Sequence, residues 1–327
     1  MKALVEALNE ISSSNNGAEA VKKSSYYGMS DSQKAQYKSE GYHAYQGKVR
    51  ELLQKDDHLF IFHTDRLTAF DKYIGMVPYK GAILSEISRF WLENVNDLIP
   101  THFEKPVNER VLQVKNCKPV KAEVIVRGYM AGSMQRAYNK GVREFCGCSL
   151  PEGLKDFQKL PTPIITPTTK AAAFEHDEDA TPAELIEQGV CTQEEWNKIS
   201  DMALKLFARG QEVYEDKGWI LVDTKYEFGW DKDGNIVVID EVHTPDSSRL
   251  WVRESYSTRI AAGEQPEMLD KEIVRRFLMD HGFSGEGQVP EVPAEVLVSL
   301  SKVYLKVAET LTGSQLQTAL TPDHVTL

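Results

Sequence analysis

The stretch Leu221-Val222-Asp223-Thr224-Lys225-Tyr226-Glu227-Phe228-Gly229 constrains this chain more than any other. Acid, base and acid stand at alternate positions. A β-strand sends alternate side chains to opposite faces. Asp223, Lys225 and Glu227 therefore share one face, and Thr224, Tyr226 and Phe228 the other. Asp231-Lys232-Asp233-Gly234-Asn235 then reads as a hairpin turn. The apolar run Ile236-Val237-Val238-Ile239 comes next and ends in Asp240-Glu241. Such a hairpin brings Glu227 near Asp240 and Glu241. Carboxylates of this kind suit Mg2+, which takes one or two of them together with substrate phosphates. A solvated charge ladder on an exposed strand is the competing reading.

At 327 residues the chain is long enough for a substantial core, in one large domain or in a few packed lobes. Its net charge of −11 argues against nucleic acid or an anionic membrane as main partner. A local basic pocket for a phosphorylated small molecule is compatible with that balance. No apolar run of about 18 residues marks a membrane span, and Glu6 and Glu10 interrupt any signal-peptide core. Cys117, Cys146, Cys148 and Cys191 lack zinc-knuckle spacing and read as reduced thiols of a cytoplasmic protein.

A short helix is expected over Lys2 to Ile11, and the chain up to about Glu40 reads as a polar extension or docking arm. Gly47-Lys48-Val49-Arg50 lies ahead of the buried-looking strand Leu59 to Asp65. Glycine lets a backbone approach phosphates and the cations supply charge; an ordinary surface turn is the alternative. Polar groups crowd Thr64-Asp65-Arg66-Leu67-Thr68-Ala69-Phe70-Asp71, just past that strand's end, where ligands collect in open sheets and barrels. Pro78-Tyr79-Lys80-Gly81 reads as a turn, and Ser85 as the cap of an apolar helix ended by Pro100.

Ala122 to Arg127 reads as a strand. A glycine-rich turn then leads into a helix over about Met134 to Lys140. Ser133 at the helix start and Arg127 nearby make an anion site or, equally, a capped helix beside an exposed arginine. Pro161 to Lys170 is extended by composition and runs into the acidic cluster Glu175-His176-Asp177-Glu178-Asp179. Thr181 and Thr192 open capping boxes, the second leading a long helix into the Asp223 strand. His243 to Trp251 reads as a polar turn. Helices over Asp270 to His281 and Ala294 to Leu311 close the chain.

Taken together, Glu123-Val-Ile-Val-Arg127-Gly-Tyr-Met-Ala-Gly-Ser133 and Leu221-Val-Asp223-Thr-Lys225-Tyr-Glu227-Phe-Gly229 resemble the signatures of the SAICAR synthetase family. Gly47-Lys-Val-Arg50, Thr64 to Asp71, Thr166-Pro-Thr-Thr-Lys170, His176-Asp177-Glu178 and Pro245-Asp-Ser-Ser-Arg249 add to it. The likeness spans roughly Tyr42 to Trp251. Lys121-Ala122 depart from the Pro and aliphatic residue usual before the first signature.

The resemblance implies an α+β fold, with a small antiparallel-sheet lobe and a larger lobe, and ATP between them. It implies a boundary pattern of extension (1–40), ATP-binding lobe (41–120) and substrate- and metal-binding lobe with the closing helices (121–327). It implies an ATP-dependent ligase that joins L-aspartate to the carboxylate of CAIR (carboxyaminoimidazole ribonucleotide) through an acyl phosphate. Gly47, Lys48 and Arg50 would then hold ATP phosphates, and Glu227 and Asp240 Mg2+. Lys225 would steady the transferring phosphoryl group, with Asp223 beside it. Arg127 and Ser133 would bind the ribose 5′-phosphate, and Asp246 and Arg249 the nucleotide. Arg66, Thr68, Asp71 and Lys80 would line the cleft, and Asp177 would serve the aspartate side. A monomer or small homo-oligomer is expected. A small-molecule kinase on the same lobes is the main rival, although no kinase catalytic-loop signature is present; an inactive nucleotide-binding module is a second.

Overall fold

A computed structural model describes residues 2–170, 177–318 and 325–327. His176 of the acidic cluster lies outside these described residues. The chain divides into two compact units. One comprises Met1–Glu93, Phe103–Asn116 and Asp270–Leu327, the other Asn94–His102 and Cys117–Leu269. Mixed antiparallel sheets and helices make the class α+β.

The first unit is built on a five-stranded antiparallel sheet in the order His43–Gln46, Arg50–Lys55, His58–His63, Val111–Lys115, Phe103–Asn108. Alternation gives it two apolar faces. Leu53, Phe62 and Val111 pack on one side with Tyr26, Met29, Tyr37 and Val325. Ile61, Leu112 and Val114 form the other. The sequence expectation grouped residues 270–327 with the C-terminal lobe. The structure joins them to the N-terminal sheet unit instead, because the closing helix Ala294–Thr312 buries its apolar stripe against the helix Leu4–Ser12. The first forty residues are likewise helical and packed, with helices at Gly17–Lys23 and Asp31–Ser39.

The helix expected to start at Ser85 begins at Lys80 and runs to Asn94, with Ser85 buried inside it. Its cap is non-local: the Gly81 N–H donates to Asp65 Oδ1 at 2.7 Å. Asp65 is in turn clamped by Arg110, whose Nη1 and Nη2 lie 2.8 and 3.2 Å from its two oxygens.

The second unit is organised around the strand Trp219–Trp230. Ala122–Tyr129 pairs along one edge, with Lys159–Thr169 beyond it; Ser248–Val252 and Ile236–Ile239 share the other edge. The segment read as a turn through Trp251 is therefore a strand from Ser248 onward. The helix Gln193–Asp216 opens with the expected capping box at Thr192 and buries Trp196, Ile199, Leu206 and Phe207. The helix after the glycine-rich turn starts earlier than expected and spans Gly132–Asn139.

Candidate active site

Cross-strand partners share a sheet face, so register builds the site in the second unit. Arg127 faces Asp223, Ile125 faces Lys225, and Asp223 faces Arg249 on the other edge. Glu123 faces Thr168, and Ile125 faces Thr166. One face thus gathers Glu123, Arg127, Thr166, Thr168, Asp223, Lys225, Glu227 and Arg249. A register shift between Leu221 and Asp223 makes this possible. Such a bulge inserts an extra residue and re-aims the side chains beyond it. It moves the partner from Leu250 opposite Leu221 to Arg249 opposite Asp223.

Two charge groups lie along this face. In the first, the Lys225 ammonium sits 2.5 Å from Glu123 Oε1 and 3.1 Å from Glu227 Oε1, while Lys170 pairs with the other Glu227 oxygen. Burial alone would raise the Glu227 carboxyl. The ammonium groups of Lys225 and Lys170 outweigh it and hold that carboxyl down at about 2. Burial likewise opposes the Lys225 charge, but Glu227 and Glu123 overcome it and lift the ammonium above the ordinary lysine range. Glu123 goes the other way: burial, with the Glu227 charge, raises its carboxyl more than Lys225 lowers it.

The second group is a guanidinium–carboxylate–guanidinium bridge. Arg249 Nη1 donates to both Asp223 oxygens at 3.2 and 2.9 Å, and Arg127 Nη1 lies 3.6 Å from Asp223 Oδ2. Arg127 also donates to Thr166 Oγ1 at 2.8 Å and to Ser133 Oγ at 3.1 Å. Ser133 stands in the first turn of its helix. Gly132, at φ 65°, leaves room there that a Cβ would take from the Arg249 guanidinium. Two arginines balanced by one aspartate, at a helix N-terminus, leave net positive charge suited to a phosphate.

The loop Asp240–Ser247 is pinned from behind this face. Tyr226, on the opposite side of the strand, meets His243 Nε2 at 2.5 Å, and the Tyr214 hydroxyl donates to the His243 carbonyl. Burial holds the His243 imidazole down at about 3, so it is neutral. Within the loop Thr244 donates to Glu241 at 2.5 Å, and Asp246 is half-buried. The hairpin sets Glu227 opposite Ile239, next to Asp240. Among the described residues no group of three or more His, Cys, Asp or Glu is assembled for a metal. Glu227 and Asp240 are oxygen donors of the type Mg2+ takes, and that ion needs few protein ligands when phosphates supply the rest. Asp177 is exposed and adds a small push to the Glu123 carboxyl.

The remaining expected residues lie in the first unit. Lys48 Nζ pairs with Asp71 at 3.0 Å. Gly47 and Arg50 close the hairpin turn through a 2.8 Å N–H···O bond. Thr68 is half-buried on the strand Arg66–Ala69. Two residues differ from the expectation that they line a cleft. Lys80 is almost wholly buried at the start of its helix. Arg66 spends its donors on main-chain carbonyls of Tyr27, Gly47, Lys48 and Arg50 and on Glu51.

Glu123, Thr166 and Lys170 fall within the sequence motifs, but no site role was expected of them. Glu123 was detectable, since it lies four residues before Arg127 and so shares its strand face. The Lys170 contact spans 57 positions, so the motif that ends in this lysine does not name its partner.

A model of the family described as SAICAR synthetase matches residues 43–292. The chain is 44% identical over 274 residues to the phosphoribosylaminoimidazole-succinocarboxamide synthase of Legionella pneumophila (strain Paris), covering 82% of this chain and 87% of that protein. Its fold is similar to SAICAR-synthase from Saccharomyces cerevisiae complexed with SAICAR, with TM-score 0.73 and 31% identity over 85% of this chain and 97% of the other. It is also similar to a type-2 SAICAR synthetase in complex with ADP, with TM-score 0.66 and 27% identity over 84% and 100% of the two chains.

Proposed function

The chain belongs to the SAICAR synthetase family, and from that membership we propose how its own residues perform the reaction. It is an ATP-dependent carbon–nitrogen ligase of purine biosynthesis, joining L-aspartate to CAIR. In our reading the CAIR carboxylate attacks the γ-phosphoryl group of ATP. A carboxylate is a poor electrophile, and the acyl phosphate so formed is a good one. The aspartate amine then attacks the acyl carbon, and phosphate leaves with one former carboxylate oxygen. The protein's task is positioning and charge stabilisation.

The observation that carries this reading is the Lys225 ammonium fixed between Glu123 and Glu227, on the same sheet face as the Arg127–Asp223–Arg249 bridge. Lys225 remains charged, so it acts as a fixed cation beside the transferring phosphoryl group and not as a base. Asp223 aligns the two guanidinium groups. Arg127, Ser133 and Arg249 take the ribose phosphate of CAIR, with Asp246 on the nucleotide. Glu227 and Asp240 would hold Mg2+, which would neutralise phosphate charge. Gly47, Lys48 and Arg50 take ATP phosphates, and Thr68 and Asp71 line the cleft, Asp71 paired with Lys48. Asp177 serves the aspartate side. For Lys80 and Arg66 we propose support of the fold and the loop. A cytoplasmic location is supported by all four cysteines being outside disulfides. Among the described residues no helix is long and apolar enough to cross a membrane.

ADP release should require CAIR and aspartate together, and oxygen-18 in the CAIR carboxylate should appear in released phosphate. Label remaining wholly in the product amide would overturn the acyl phosphate. Turnover on a sugar alone would favour the kinase.

A further inference from the structure

We propose that the segment Ser25–Lys34, which precedes the family match, is a brace that positions the Gly47–Arg50 loop for ATP; this rests on the reading of that loop as the phosphate holder. Three charged side chains reach from the loop's surroundings to the main chain of this segment. Asp65 accepts the Tyr26 N–H at 2.7 Å, and its own N–H returns a 2.9 Å bond to the Tyr26 carbonyl. Arg66 Nη1 donates to the Tyr27 carbonyl at 2.8 Å. Glu51 Oε2 accepts the Met29 N–H at 2.7 Å.

Two of these side chains, Arg66 and Glu51, also hold the loop. Arg66 Nε donates to the Lys48 carbonyl at 3.2 Å, and its Nη2 to the carbonyls of Gly47 and Arg50 at 3.2 and 3.3 Å. Glu51 Oε1 takes both Arg66 Nη1 and Lys34 Nζ at 3.3 Å, and Lys34 extends to Gln46 at 3.4 Å. One guanidinium thus ties three loop carbonyls to the segment, and one buried carboxylate locks that guanidinium in place. Gly28 makes the approach possible: its φ is 129°, and a Cβ there would fall 2.4 Å from Glu51 Oε1. Tyr26 and Met29 anchor the segment in the sheet core.

A loop fixed in this way does not pay the ordering entropy a free loop pays on binding phosphate. Glu51, Lys34 and Arg66 are therefore positioning residues, acting through the loop without touching ATP. The rival role, sealing of the apolar core, predicts lost stability and nothing else.

Steady-state kinetics of the full-length chain separate these roles. Glu51→Gln should raise KM for ATP about tenfold, the equivalent of roughly one charged hydrogen bond, with KM for CAIR and aspartate unchanged. Lys34→Ala, on a part-exposed side chain that the fold does not require, should raise KM for ATP by a smaller factor. Met29→Leu, which keeps the N–H, should lower Tm and leave KM for ATP alone. If Lys34→Ala and a folded Glu51→Gln change Tm but not KM for ATP, the brace is overturned. Lys48→Ala and Arg50→Ala test the underlying reading separately: an unchanged KM for ATP in both would sink the phosphate-holding loop itself.

Discussion

On the Trp219–Trp230 sheet, charge is carried by side chains that project from neighbouring strands and pair with one another. Lys225, Glu123, Glu227 and Lys170 satisfy each other, as do Arg127, Asp223 and Arg249. In the Gly47–Arg50 turn the arrangement is reversed. Its carbonyls are the held groups, gathered by Arg66, while the Lys48 ammonium meets Asp71 in a part-exposed pair. The first region is organised by charge on a rigid scaffold, the second by backbone conformation. In a buried charge network, removing a shared ion such as Lys225 or Asp223 takes the counter-ion from its partners and disturbs their alignment. A preorganised loop fails by losing affinity. The two regions should therefore answer mutation in different kinetic parameters.

The largest expected effect is at Lys225. Lys225→Ala should cut turnover on the order of 10²–10³-fold, the range seen when one electrostatic stabiliser is removed. Circular dichroism should still report a folded chain, because the site is one face of an otherwise apolar sheet. Near-normal turnover would remove Lys225 from the chemistry. Arg127→Ala comes next. It should raise KM for CAIR about 10- to 100-fold, as for lost hydrogen bonds to a charged group, and leave KM for ATP near its original value. If instead only the ATP constant moved, the contrast between the two regions would collapse at its most informative point.

Acid should separate the two carboxylates that share Lys225. The Glu227 carboxyl is depressed to about 2 from its ordinary 4.5. It thus contributes stability above pH 4.5 that is lost as pH falls through that window. The Glu123 carboxyl is raised, so it has the opposite sign: it costs stability once pH exceeds its ordinary value, and protonation relieves that cost. Denaturant titrations across pH 2–5 should therefore show a weaker acid loss for Glu227→Gln than for the parent. Glu123→Gln should be the more stable variant near neutrality. An unchanged acid slope in Glu227→Gln would mean that its pairing with the lysines does not persist in solution.

Much of the strand site was legible because it obeys a local rule. The period of two put Asp223, Lys225 and Glu227 on one face, and the turn at Asp231–Asn235 closes a hairpin that pairs Glu227 with Ile239. Capping boxes at Thr181 and Thr192 marked two helix starts within one residue. The hidden features depend on partners far away in the chain. The Lys225–Glu123 contact spans 102 positions and the Arg110–Asp65 clamp 45. The cap of the Lys80–Asn94 helix comes from Asp65, so Ser85, with a good capping residue type, was a decoy. Arg66 looked like a substrate ligand because it stands just past a strand end among polar neighbours. Only tertiary structure shows its donors turned onto carbonyls.

The smallest expected effect belongs to Lys48, and it is the sharpest test of the contrast. Its pair with Asp71 is part-exposed on both sides, with side chains 28% and 41% accessible. Such pairs contribute about 0–1 kcal/mol, so Lys48→Ala should leave thermal stability almost unchanged. The loop backbone, held by Arg66 and not by Lys48, should keep its conformation. A rise of a few-fold in KM for ATP, with kcat and Tm preserved, would show that the loop's shape and its charge are separable contributions. A large Tm loss in Lys48→Ala would instead make this lysine part of the loop's framework, and the first unit would then be organised by charge in the same way as the second.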